Sequence, residues 1–153
     1  QQFFQQAIDL DPNFSDAYCG LVFVQSQQAT QFQTRAFTDA LNSAETLARL
    51  AVALDSNNAV ARSTLSYALL GRGDFDGALA EAERALALSP NLASGYWARG
   101  RTLIFSGRPE EGLRDVQTKT PPRDGAPALG QPGLLKDFVR QVPTGYRAGG
   151  RTW

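Results

Sequence analysis

Three stretches of the chain spell nearly the same turn. Residues 7–18 read AIDLDPNFSDAY, residues 51–62 read AVALDSNNAVAR and residues 85–96 read ALALSPNLASGY. Each has the form of a helix end, a turn and a helix start. Pro12 and Pro90 cannot continue the helices before them, and Asn13, Asn57 and Asn91 carry side chains able to accept hydrogen bonds from the first free N–H groups of the next helix. Ala51 and Ala85 stand 34 residues apart and Ala7 and Ala51 stand 44 apart, so the earlier unit carries ten extra residues. A fixed period of this length marks units that cannot bury their apolar faces alone and must stack on one another.

A second punctuation falls midway through each unit. Gly71-Arg72-Gly73-Asp74-Phe75 interrupts one and Ser106-Gly107-Arg108-Pro109 the next, so each unit is two helices joined by a tight turn. Between turns the apolar residues recur at helical spacing. Phe75, Ala78, Leu79, Ala82 and Leu86 make one stripe, with Glu81, Glu83 and Arg84 turned away from it. Helices this short are marginal in isolation, which again demands neighbours.

A 34-residue helix-turn-helix carrying Gly73-Asp74-Phe75-Asp76-Gly77-Ala78, Ala85 and Pro90 resembles the tetratricopeptide repeat. Ser66, Ala78 and Ala85 match the family's close-packing positions. The following unit repeats Leu69, Gly73 and Leu79 as Leu103, Gly107 and Leu113, with Gly100 and Gly112 as its small residues. Lys119 stands where a small Ala is expected, so the second helix of that unit should fray or stop early. In the first complete unit Leu21, Ala44, Ala48 and Ala51 fit, Ser56 replaces the turn Pro, and the insertion is expected between the two helices, about Gln28 to Thr38. The resemblance covers roughly residues 1–119. It implies an all-α helical-hairpin solenoid of about three and a half repeats, spanning 1–120: a half repeat 1–14, a repeat with insertion 15–58, a repeat 59–92 and a partial repeat 93–120.

Counting removes most chemistry. With no His and one Cys, Cys19, the chain cannot assemble a Cys/His zinc site, a nucleophile–His pair or an internal disulfide. Glu110, Glu111, Asp74 and Asp76 fall in first turns of predicted helices, where acidic side chains oppose the positive end of the dipole. Arg72-Gly73-Asp74 spells an adhesion-type tripeptide but suits the turn it occupies. Neither a cofactor nor a metal is expected. Fifteen basic against fifteen acidic residues leave no net field for nucleic acid or an anionic membrane, and no apolar run approaches a membrane span. A soluble, cytoplasmic, non-enzymatic chain is the expectation. It opens without Met on a helical pattern already under way, which suggests a piece of something longer.

Stacked helix pairs put the first helix of each unit on the concave side, where the family resemblance implies that ligands lie. Helical steps along those helices pick out Cys19 and Phe23, then Ser63, Tyr67 and Leu70, then Trp97, Arg101 and Phe105 as a groove for a peptide or partner helix. The competing reading packs several of these rings on neighbouring helices. For Cys19, an apolar setting with no cation to lower its pKa favours a buried structural thiol. The carboxylate clamp of some co-chaperone tetratricopeptide domains needs Lys and Asn where this chain has Cys19, Phe23 and Thr64, so chaperone-tail binding is not expected.

Residues 121–153 hold five of the eight Pro and six of the fourteen Gly. Leu134, Leu135, Phe138, Val139 and Val142 make a short amphipathic helix conceivable at 134–142, either as a solenoid cap or as an occupant of the groove; non-native sequence is the third reading of the tail. Two functions stand open: a protein–protein interaction module, and a regulatory or oligomerisation segment of a larger bacterial signalling enzyme. The second rests on a resemblance to tetratricopeptide regions C-terminal to class III nucleotide cyclases, with thirteen Arg against two Lys as a compositional hint. Exposed apolar ends, Phe3 and Phe4 among them, or the tail would permit a homodimer.

Overall fold

The computed structural model describes residues 1–31 and 35–119; the tail 121–153, with its candidate helix 134–142, lies outside the described residues. Seven helices follow in order: α1 (Gln2–Leu10), α2 (Ser15–Gln31), α3 (Arg35–Leu54), α4 (Ala59–Gly71), α5 (Phe75–Leu88), α6 (Ala93–Phe105) and α7 (Pro109–Lys119). Among the described residues there is no strand.

The helices form antiparallel pairs, α2 with α3, α4 with α5 and α6 with α7, and each pair packs on the next through α3–α4 and α5–α6. The first helices also touch one another, α2 on α4 and α4 on α6, whereas α3 and α5, or α5 and α7, make no comparable contact. A stack whose first helices approach more closely than its second helices must curve toward the first. The row α2, α4, α6 is therefore the inner, concave side of a helical solenoid.

The turns explain this regularity. After α4, Gly73 sits at φ 77°, and the Asp74 N–H reaches back to the Leu69 carbonyl at 3.1 Å. After α6, Gly107 sits at φ 90°, and the Arg108 N–H reaches the Leu103 carbonyl at 2.8 Å. Both are the glycine-dependent helix stop that satisfies carbonyls left over at the last turn. Asp74 then caps α5 by accepting from the Gly77 N–H at 2.9 Å. At the turns between units the cap falls one residue later than the sequence suggests. Asn58, not Asn57, accepts from the Ala61 N–H, while the Asn13 and Asn57 N–H groups donate to the Asp11 and Asp55 carboxylates; α6 starts after Leu92 with no side-chain cap. In the first two of these turns an Asp two residues earlier claims the Asn N–H and shifts the helix start forward.

A further tie repeats with changing chemistry. Tyr18 donates its hydroxyl to the Pro12 carbonyl at 3.0 Å, Tyr96 does the same to Pro90 at 3.0 Å, and Arg62 donates Nε–H to the Ser56 carbonyl at 2.9 Å. Each side chain comes from the same position of its unit and closes the same turn six residues back.

The ten extra residues of the first complete unit do not form a long loop. α2 and α3 have 17 and 20 residues against 13 and 14 in α4 and α5, so the insertion lengthens both helices. Residues 25–38 contain no Gly or Pro, so no helix breaker stands in the way of that lengthening.

The core is built from small residues that let helices approach: Ala44, Ala48, Ala51, Ala61, Ser66, Ala78, Ala82 and Ala85 are all buried. Ser66 donates to the Ala78 carbonyl at 2.7 Å where α4 crosses α5. At the equivalent α6–α7 crossing Gly100 and Gly112 face each other so closely that a Cβ on Gly100 would stand 2.8 Å from the Gly112 carbonyl oxygen. Buried Glu81 takes Arg62 of α4 at 3.0 Å and also Arg84. Pro90 lies exposed in its turn. At the α1 end Phe4 lies half-buried over Gly20, whose missing side chain makes the room, while Phe3 is 83% exposed.

Candidate docking face

Tyr67 lies two turns into α4. Trp97 and Arg101 lie one turn apart on α6 and so share a face. Because α4 and α6 touch, the three meet: the Arg101 guanidinium carbon stands 4.9 Å from the Tyr67 ring centroid and 5.7 Å from that of Trp97. All three are half-buried. A cation held this close to ring faces gains about 0.5–2 kcal/mol, depending on its desolvation. Phe23 of α2, on the same row, is 58% exposed.

The other residues picked out by helical steps lie elsewhere. Cys19, Ser63 and Leu70 are 7%, 4% and 8% exposed and form part of the packing rather than the groove wall. Close approach of the inner helices closes over them. Cys19 packs with Tyr18, Ala51 and Ala61, and burial, opposed by a Thr64 hydrogen bond, pushes its thiol above the ordinary range. Ser63 shares a hydrogen bond of 3.0 Å with Ser94, joining α4 to α6. Leu70 belongs to the cluster between the first two pairs, and Phe105 is half-buried against that cluster. In their place the structure shows Val60, 41% exposed, and the exposed Ser94, each three residues before a residue already picked out. Stepping back one turn from Ser63 and Trp97 would have found them.

A cleft of about 390 Å³ lies between α5, α6 and α7, lined by Glu83, Arg99, Arg108, Glu111, Arg114 and Asp115 with Leu79 and Leu103. Its charges neutralise one another. Arg99 makes two bonds to Asp115, at 2.6 and 2.7 Å, and Arg108 two to Glu111, at 2.9 and 2.8 Å. These pairs clamp α7 onto α6 and close the last turn; three cations facing three carboxylates offer little attraction to a charged ligand. Among the described residues no three His, Cys, Asp or Glu side chains converge as metal ligands would, and no helix is long and apolar enough to cross a membrane.

No family model and no curated protein matches the chain. Solved structures do. A thermophilic tetratricopeptide protein of Thermus thermophilus superposes with a TM-score of 0.67 and 18% identity, covering 91% of this chain and 69% of that one. MamA superposes with a TM-score of 0.50 and 19% identity, covering 91% of this chain and 80% of that one. At such identities the likeness shows the fold, and the fold is the all-α helical-hairpin solenoid of tetratricopeptide proteins.

Proposed function

We propose that this chain is a non-catalytic protein–protein interaction module that takes a peptide or partner helix on its concave face. The observation that carries the reading is the half-buried assembly of Tyr67, Arg101 and Trp97 on the inner row, with exposed Phe23 farther along it. Aromatic rings and an Arg, pre-positioned by helices rather than loops, are the residue types that dominate binding energy at protein interfaces. Val60 and Ser94 extend the face; the packing roles of Cys19, Ser63 and Leu70 hold the inner helices together beneath it.

The test is quantitative capture from a lysate of the source cell, with three baits: the native chain, a Tyr67→Ala/Trp97→Ala double variant, and Leu88→Ala, which truncates an exposed residue of α5 on the outer row. Truncating two anchors worth about 2 kcal/mol each weakens a partner by about thirtyfold per anchor. A protein held by the native chain and by the Leu88 variant, and lost from the double variant at unchanged helicity, is the expected result. A captured set indifferent to Tyr67 and Trp97 would reject this face.

A further inference from the structure

Resting on that reading, we propose that the concave face selects a partner segment carrying a single internal Asp or Glu between apolar residues, with Arg101 as the carboxylate receptor.

The argument starts from how the described arginines are used. Arg49, Arg62, Arg72, Arg84, Arg99 and Arg108 each lie within ion-pair distance of a carboxylate of this chain. Arg101 has no ion pair among the described residues; it is held by the rings of Tyr67 and Trp97. The two modes use different parts of a guanidinium. Rings engage its flat face, whereas its N–H donors lie in the plane and point outward at the edge. An Arg held against two rings, with no ion pair among the described residues, keeps N–H donors for a carboxylate, and its restricted position lowers the entropy lost on binding. Of the inner-row residues, Phe23, Val60, Ser94, Tyr67 and Trp97 are uncharged, and exposed Asp16 at the start of α2 accepts from the Asn58 amide at 2.7 Å rather than pairing with Arg101. A cation set against Tyr67 and Trp97, with no ion pair among the described residues, complements one carboxylate flanked by apolar side chains. A chain terminus bearing both its own carboxylate and acidic side chains would bring charges with no counterpart here.

The probes are fluorescein-labelled, C-terminally amidated pentapeptides with one Glu between two Leu-Phe pairs, and the same peptide with Gln or Lys in its place, read by fluorescence anisotropy. The Glu peptide is expected to bind at least tenfold tighter than the Gln peptide, with the Lys peptide weakest. Arg101→Gln should reduce the Glu peptide to the affinity of the Gln peptide and leave the latter unchanged. Equal binding of Glu and Gln peptides, lost on Trp97→Ala, overturns the selectivity and leaves the docking face standing. A Gln peptide with a free C-terminal carboxylate that outcompetes the amidated Glu peptide also overturns it, in favour of a chain terminus. Absence of binding by every peptide, or binding that ignores both Tyr67→Ala and Trp97→Ala, rejects the docking face along with the inference.

Discussion

The α6–α7 crossing sets a sharp test of how closely these helices pack. A methyl group added at Gly112 would lie on the Gly100 carbonyl oxygen, 2.8 Å from Ile104 Cγ1 and 3.1 Å from Ile104 N. The Ile side chain can rotate; the two backbone groups cannot. Gly112→Ala therefore forces α7 away from α6, and overpacking of this kind costs about 1–3 kcal/mol. Ala also favours the helix over Gly by about 1 kcal/mol, so the two effects oppose each other. The obstruction is backbone, which puts the cost in the upper part of its range and leaves a net loss of about 1–2 kcal/mol. For a chain of this size that lowers Tm by about 3–6 °C. The loss should be local, because each unit of a stack touches only its neighbours. Hydrogen exchange should show reduced protection in α6 and α7, where Val116 and Ile104 separate and the Arg99–Asp115 clamp stretches, with α4 and α5 preserved. A Gly112→Ala chain that melts at or above the native temperature would mean that propensity outweighs packing there, and the close-approach argument would fail.

Gly73→Ala places a side chain at φ 77° with nothing within 4 Å, so left-handed strain alone should cost about 1–2 kcal/mol in urea unfolding; no loss would refute the helix-stop argument. Cys19, with its thiol raised by burial, should react with a thiol reagent at pH 8 at least a hundredfold more slowly in the native chain than in urea; fast native labelling would contradict its packing. Because its folded pKa is raised, that thiol contributes no loss of stability below the ordinary thiol range and a progressive loss as pH rises through it. Glu111 behaves oppositely: the Arg108 hydrogen bond holds its carboxyl below the ordinary range, so its contribution is present above that range and lost as pH falls through the depressed value. Glu111→Gln should therefore flatten the acid side of a Tm-against-pH curve, and only slightly, since the pair is exposed and water-screened.

What could be read in the sequence follows from what the backbone demands locally. Pro12, Pro90, Gly73 and Gly107 mark turns because few other residues satisfy the geometry there, so the hairpins and their period are visible without coordinates. The insertion is harder, because length alone does not say whether ten residues loop out or continue a helix. Residues 25–38 are free of helix breakers, and in the structure α2 extends to Gln31 and α3 begins at Arg35. The displacement of the cap from Asn57 to Asn58 is a competition between two polar side chains, Asp55 and Asn58, which residue preference at one position does not resolve. Cys19, Ser63 and Leu70 could not be separated from the groove wall because a helical step gives a direction around one helix and says nothing of how near the next helix stands. That spacing comes from Ser66, Ala78, Gly100 and Gly112, tens of residues away in sequence.

The same distinction explains why one position of the repeat can vary while others cannot. Tyr67 and Arg101 stand 34 residues apart and occupy the same place in successive units, as do the turn-closing Arg62 and Tyr96. Arg62 and Tyr96 differ in chemistry yet perform one task, donating to a turn carbonyl six residues back, and the architecture tolerates either. Tyr67 and Arg101 perform different tasks: one supplies a ring and the other a cation that lies over it. The interaction exists only because successive units carry unlike residues at that place; two rings or two cations would give no such pair. A repeat array held together by small residues thus acquires a directional feature where its repetition breaks. It is at this break, on the inner row, that the proposed docking face acquires its cation, while in the cleft between α5, α6 and α7 Arg99 and Arg108 already hold Asp115 and Glu111.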